Sequence, residues 1–389
     1  MVGIVRTKGL THPPVMRNPL TRYLLSLLLA QPFWLEATSD RSEALNTRYL
    51  PHADRSGILS TELKSTGETW WRGPETIRSL RSSEGPLAGL HLALDPGHIG
   101  GAYAGKEGRH FRVHEADFFI VEGDLTLLVA DLLRERLEAL GARVTLLRED
   151  NSPVVTVDFE QQMKRVMTGE AFPVKNSLVA LENFMARLSE SYFHATFVRD
   201  ELLARADCIN RAIKPDAVLS LHFNAAPWPK DEAGREFIKL VPRDHCHVLI
   251  FGCMTPTELN SPSQLRRLRL KVTNGSGPIE AQLGAALGLA LGRAFKLPPS
   301  QYRGKNAVAI REGSSYVWAR NLLLLREIDC PVVLLEPFLT NSVGSYPRLQ
   351  RALRDRATGK PLAEDDVLLL YAEAVVSALL AVYGTEATI

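Results

Sequence analysis

Leu90-His91-Leu92-Ala93-Leu94-Asp95-Pro96-Gly97-His98 reads as a short apolar strand stopped by a Pro-Gly turn, with a histidine presented just beyond it. Downstream, Leu128, Leu132, Leu133, Leu137 and Leu140 recur at helical spacing, and Gly141 follows as the residue that ends the helix. Ala142 to Leu147 is apolar and strand-like again. Strand, helix, strand at these lengths is a βαβ unit, which predicts a parallel sheet covered by helices. Open sheets of that kind bind ligands beyond the carboxyl ends of their strands, where His98 falls.

The same pattern recurs outward from this unit. Ala217 to Leu221 is a strand ending at His222, His247 to Phe251 is another strand candidate, and Pro331 to Leu335 is a final buried strand ending at Glu336. Leu202 to Ile213, Pro278 to Phe295 and Ala363 to Tyr383 read as helices. Between Asp150 and Arg205 there are helical segments, notably Ser177 to Ser191, but no strand that continues the sheet. Residues 150–205 are therefore expected to be an insertion. The predicted class is α/β, with a central twisted, mostly parallel sheet and helical insertions.

Composition narrows the function. A hydrophobic fraction of 45% supplies a substantial core, and a net charge of +2 without a dense basic stripe argues against a nucleic-acid binder. The four cysteines form no CxxC pair; Cys208 and Cys330 read as small apolar core residues, and nothing in the spacing of Cys246 and Cys253 demands a disulfide. Near the N-terminus, Arg17 and Arg22 precede an apolar run from Tyr23 to Ala30 and a small residue at Ala37. That arrangement predicts a secretory signal over 1–37, and the run is too short to span a bilayer. Residues 38–86, polar apart from Trp70 and Trp71, read as a linker or loosely packed extension before a catalytic domain over 87–389.

His98, His222 and Glu336 each follow a strand-length apolar run, so a parallel sheet brings them to one rim. Glu122 begins the helix that starts on the same rim, where a carboxylate also favours the helix N-terminus. Two imidazoles and a carboxylate around an open position suit Zn2+, with a further glutamate as general base. These parts point to a hydrolase acting on an amide. Taken from the residues alone, His110, His114, His245 and Glu115 remain rivals as ligands, Glu115 against Glu122 above all.

Together these segments resemble the zinc-dependent N-acetylmuramoyl-L-alanine amidases of the bacterial cell wall, the amidase_3 family. Leu94 to His98 resembles the family's DPGH turn, with Ile99 standing where a glycine is usual. Glu122 to Arg148 matches the second block, and its register favours Glu122 over Glu115. Pro215 to Ala225, with Asn210 before it, is similar to the histidine strand, and Pro331 to Asn341 to the catalytic glutamate block, although Pro337 and Phe338 depart from the usual sequence.

The resemblance covers roughly Leu87 to Tyr383. It implies a three-layer, phosphorylase/hydrolase-like fold, with zinc held by His98, Glu122 and His222 and Glu336 as general base. The implied reaction is hydrolysis of the amide between N-acetylmuramic acid and L-alanine in peptidoglycan, in the periplasm or cell envelope. In some relatives a helix inserted where 150–205 stands occludes the zinc until a protein activator displaces it, and Glu160, Glu170 or Glu182 would then fill the open metal position; a peripheral decoration is the equal alternative for this insertion. A zinc amidase acting on another acylated peptide, or a cell-wall-binding protein without cleavage, would carry much of the same pattern.

Overall fold

The computed structural model describes residues 47–52, 69–79, 85–169, 177–311 and 313–384. The strands are β1 (His91–Pro96), β2 (His110–Phe111), β3 (Ile120–Val121), β4 (Arg143–Leu146), β5 (Ala217–Leu221), β6 (His247–Phe251), β7 (Val308–Ile310), β8 (Val317–Arg320) and β9 (Val332–Glu336). β2 and β3 form a small antiparallel pair, and the others form one sheet in the order β4-β1-β5-β9-β6-β8-β7. Its β4-β1-β5-β9 half is parallel throughout, as βαβ reasoning predicts. β6 then runs antiparallel to β9, and β7 antiparallel to β8. This reversal brings the start of β6 to the rim where β1, β5 and β9 end.

The main helices are α1 (Ala104–Glu107), α2 (Glu122–Ala139), α3 (Phe159–Met167), α4 (Leu178–Phe193), α5 (Glu201–Asp207), α6 (Pro262–Thr273), α7 (Ser276–Phe295), α8 (Leu323–Glu327), α9 (Ser345–Ala357) and α10 (Val367–Tyr383). In α2, Leu125, Val129, Leu133 and Leu137 recur every fourth residue and are buried against one face of the sheet, with α7 and α10. Gly141, at φ 88°, closes α2 as expected. The opposite face packs Val218, Leu249, Val332 and Leu334 against Ala206, Ile209, Leu268 and Leu325.

The insertion differs in detail from two separate helices. α4 continues through a wide turn at His194–Asp200 into α5 and a second wide turn at Cys208–Ile213, making one helical run. α3 folds back on α4, and each begins with a side-chain cap, Asp158 and Ser177 respectively. Phe197 in the first wide turn packs on Tyr103 and Phe193, which ties the insertion to the loop after His98.

Residues 47–52 and 69–79 are not loosely packed. Tyr49, Leu50, Trp71 and Ile77 are buried, Arg48 reaches the buried Glu280, and Arg72 pairs with Asp216 at 2.7 Å. Sequence polarity misleads here because arginines with buried carboxylate partners count as polar while anchoring a segment. The signal assigned to 1–37 lies outside the described residues, as does much of 38–86. No helix among the described residues is long and apolar enough to cross a membrane. All four cysteines are free.

Candidate metal centre

The turn after β1 is built by two arginines from distant parts of the chain. Arg205 donates to Asp95 Oδ1 at 2.8 Å, to the Pro96 carbonyl at 2.8 Å and to the His98 carbonyl at 3.0 Å. Its Nε reaches Glu201, whose other oxygen accepts from the Val155 N–H. Arg148 donates to the carbonyls of Pro96, Gly97 and Gly123. Ser220 Oγ completes Asp95 at 2.6 Å. Burial opposes ionisation of Asp95, yet Arg205 and Ser220 hold its carboxyl below the usual range. Held this way, His98 adopts φ 56°, a left-handed conformation that a residue with a Cβ occupies only at a cost.

His98, Glu122 and His222 converge, each with a ligand atom within 4.8 Å of the others. His98 Nε2 lies 3.3 Å from Glu122 Oε2, and His222 Nδ1 lies 3.1 Å from Glu122 Oε1. The two imidazoles meet edge to face at 5.2 Å between centroids. That approach depends on Gly97, because a Cβ there would stand 2.4 Å from His222 Cε1. Glu122 also accepts the Phe223 N–H at 3.0 Å, and Arg109 lies 3.8 Å away. Burial pushes the Glu122 carboxyl up, but His98, His222 and Arg109 outweigh it and hold it at about 2.

Glu107, on α1, was not foreseen. Its Oε1 lies 3.4 Å from His98 Nδ1, and its two oxygens accept the N–H groups of Ile99 and Gly100. Burial opposes its ionisation, yet His98 and those amides keep its carboxyl below the usual range. The only hint in the sequence was the length of the loop between His98 and Glu122. A loop of that length can return a carboxylate to the histidine that precedes it.

Glu336, at the end of β9, stands opposite His247 at the start of β6. His247 Nε2 donates to Glu336 Oε2 at 2.6 Å, and Tyr302 Oη lies 2.9 Å from the same nitrogen. The other ring nitrogen, Nδ1, is buried without a partner among the described residues, and the carboxylate beside Nε2 calls for an N–H there. Burial again opposes ionisation of Glu336, while His247 first and His222 next hold its carboxyl below the usual range. The sequence marked His247 as the start of a strand; only the antiparallel register aims it at Glu336.

A cavity of about 970 Å³ opens over His98, Glu122, His222 and Glu336. His245 lines it, while His110, His114 and Glu115 are exposed and outside the cluster. From the insertion, Glu160 is exposed and pairs with Lys164, Glu182 is exposed, and Glu170 lies outside the described residues. No described carboxylate of the insertion joins the three converging groups. What the insertion supplies instead is Arg205 under the turn.

The donor set suits zinc: two neutral-capable imidazoles and an ionised carboxylate converge, and His98 Nδ1 is engaged by Glu107 so that Nε2 faces the cluster. The family model described as N-acetylmuramoyl-L-alanine amidase (Amidase_3) matches residues 92–364. Among solved structures, the chain is similar to the N-acetylmuramyl-L-alanine amidase Ami1 from Mycobacterium smegmatis, at 17% identity over 76% of this chain and 97% of that one, with a TM-score of 0.42. It is also similar to the CwlD amidase from Clostridioides difficile, solved in complex with the GerS lipoprotein, at 15% identity over 75% and 96% of the two chains, with a TM-score of 0.40. No curated protein matches.

Proposed function

Since the chain belongs to the N-acetylmuramoyl-L-alanine amidase family, we propose that it hydrolyses the amide between the lactyl group of N-acetylmuramic acid and L-alanine in peptidoglycan, using zinc held by His98, Glu122 and His222. The observation that carries this reading is the convergence of those three side chains within 4.8 Å, on the same rim and in the same cavity as Glu336. Zinc, when bound, polarises a carbonyl and acidifies water.

Glu336 acts as the general base. Oε2 is committed to His247, which leaves Oε1 to take the proton from the attacking water. Water oxygen bonds to the acyl carbon, the carbon–nitrogen bond breaks, and Glu336 hands the proton to the leaving nitrogen. The second proton of the water also passes to that nitrogen, so a carboxylate remains on the lactyl group and an ammonium on L-alanine. Glu107 orients His98, and the Arg148–Arg205 pair fixes the turn that presents it.

Substrate in the cell wall requires export, and the residues assigned to a signal at 1–37 fit that need. A protein that engages the 150–205 segment would reach the centre through Arg205 and its bond to the His98 carbonyl.

The test is metal content together with muropeptide release from purified sacculi, comparing wild type with Glu336→Ala. One zinc per chain, with release lost in the variant, supports the reading. Zinc-free protein, or release that survives the substitution, overturns it.

A further inference from the structure

The cavity does not end at the converging side chains. It extends along one face of the sheet, where Glu336, Leu334, Leu249 and Arg320 line it and the Tyr302 ring forms a wall. The register explains why these residues share a face. His247 pairs with Glu336, Leu249 with Leu334 and with Trp318, and Phe251 with Arg320, so every second residue of β6 marks a step along the same groove. Glu336 and Arg320 flank β6 on opposite sides and lie four residues apart along it, so about 13 Å along the strands and about 10 Å across them place the two about 16 Å apart.

Arg320 at the far end carries a charge that no described carboxylate neutralises. Its guanidinium lies 5.4 Å from the Tyr302 ring centroid, and no carboxylate among the described residues pairs with it. Its Nε is buried without an acceptor, and so is the indole nitrogen of Trp318 on the same face. Most other half-buried arginines here have acidic partners, as Arg267 has Asp329 and Arg356 has Asp366. A planar guanidinium at the far end of a groove, lying over an aromatic ring, is suited to receive a carboxylate through two parallel hydrogen bonds.

We propose that this groove is a peptide subsite in which Arg320 binds a carboxylate of the leaving peptide. The proposal rests on the amidase reading above, which places the scissile nitrogen beside Glu336. An extended peptide advances about 3.3–3.6 Å per residue, so about 16 Å corresponds to the fourth or fifth residue beyond the scissile bond. The apolar floor of Leu334 and Leu249 accommodates the intervening chain. Arg320 thus selects substrates whose peptide carries a free carboxylate at that distance.

The test uses the full chain and a matched pair of muramoyl tetrapeptides, one with its carboxylates beyond the second residue free and one with them amidated. Wild type is expected to favour the free form about 10- to 100-fold in kcat/KM, carried mainly by KM, as fits a charge-assisted pair. In Arg320→Ala that preference collapses to within about threefold, and Arg320→Lys keeps part of it. Calorimetry with the two released peptides gives the same comparison without turnover and also serves if Arg320→Ala does not fold, with Arg320→Gln in its place. An unchanged preference in the variants, or none in wild type, overturns the proposal alone. Failure of wild type to cleave either substrate overturns the amidase reading and the proposal with it.

Discussion

His247 and Glu336 face one another across an antiparallel strand pair, Nε2 to Oε2, at 2.6 Å, with the imidazole fully buried. One oxygen of the carboxylate is thereby fixed, and the other is free to meet a proton from the cavity. The contact also sets the acidity of the carboxyl, since His247 is the foremost influence opposing the effect of burial.

Replacing His247 is therefore expected to move the acid limb of the kcat profile. A base works only when deprotonated, so activity is lost as pH falls through its pKa. Without His247 burial dominates, the Glu336 pKa rises, and the limb shifts to higher pH. Glu122, His222 and Tyr302 still face the carboxyl in the variant. His247→Ala should lower kcat by about 10-fold or more, within the span that general base catalysis provides. His247→Gln, which can still donate to the carboxylate, should recover part of it. An acid limb in the same place for all three proteins would refute the role.

Glu107→Gln separates metal binding from chemistry. The carboxylate engages His98 Nδ1 and two backbone amides, so the amide variant keeps its shape but loses the charge that orients the ring. Partners of this kind commonly contribute about 10- to 100-fold in metal affinity. Competition with a chromophoric chelator should show zinc bound weaker by that factor. Equal affinity in wild type and variant would remove Glu107 from the centre.

The rim was legible in the sequence because it rests on local signals. An apolar run ending in an ionisable side chain is visible at His98, His222 and Glu336 without knowledge of the fold, and the four parallel strands around them follow from βαβ spacing. Glu107 and His247 could not be read that way. One reaches its histidine through a loop whose path no periodicity encodes, and the other depends on a strand running against its neighbours. The short strands β7 and β8 were missed as well, and with them the place of Arg320. Arg205 looked like the edge of an insertion, because a buried arginine and a solvated one look alike in sequence until their partners are known.

Arg205 is expected to be the costliest single loss. It is buried between Asp95 and Glu201 and bonded to two carbonyls of the turn. Arg205→Met leaves two buried carboxylates without their cation, a change that typically costs about 3–5 kcal/mol. The penalty should depend on pH. In wild type the Asp95 pKa is depressed, so its contribution is present above the unfolded pKa and lost as pH falls through the folded value. In the variant the buried carboxyl is raised instead and accepts a proton readily, so the deficit should shrink as pH falls toward about 4. Urea unfolding at neutral and mildly acid pH measures both. A deficit independent of pH would mean that lost packing, rather than stranded charge, is the cause.

Gly97→Ala tests whether the turn is shaped around His222 or merely flexible. A Cβ at Gly97 would lie 2.4 Å from His222 Cε1, 2.5 Å from its Nε2 and 2.6 Å from the Leu221 carbonyl. Unlike Gly100 at φ 79°, Gly97 is not in the left-handed region, so the substitution carries a steric cost without backbone strain. Gly89 supplies the opposite control: its φ is 86°, and nothing stands within 4 Å of its Cβ position. Gly89→Ala should cost about 1 kcal/mol through its backbone and leave zinc affinity alone. Gly97→Ala should cost about 1–3 kcal/mol by crowding and also displace an imidazole from the cluster, so zinc affinity should fall far more than in the control. Thermal unfolding and zinc titration of both variants give the comparison. Wild-type zinc affinity in Gly97→Ala would show that His222 does not need its present position to bind the metal.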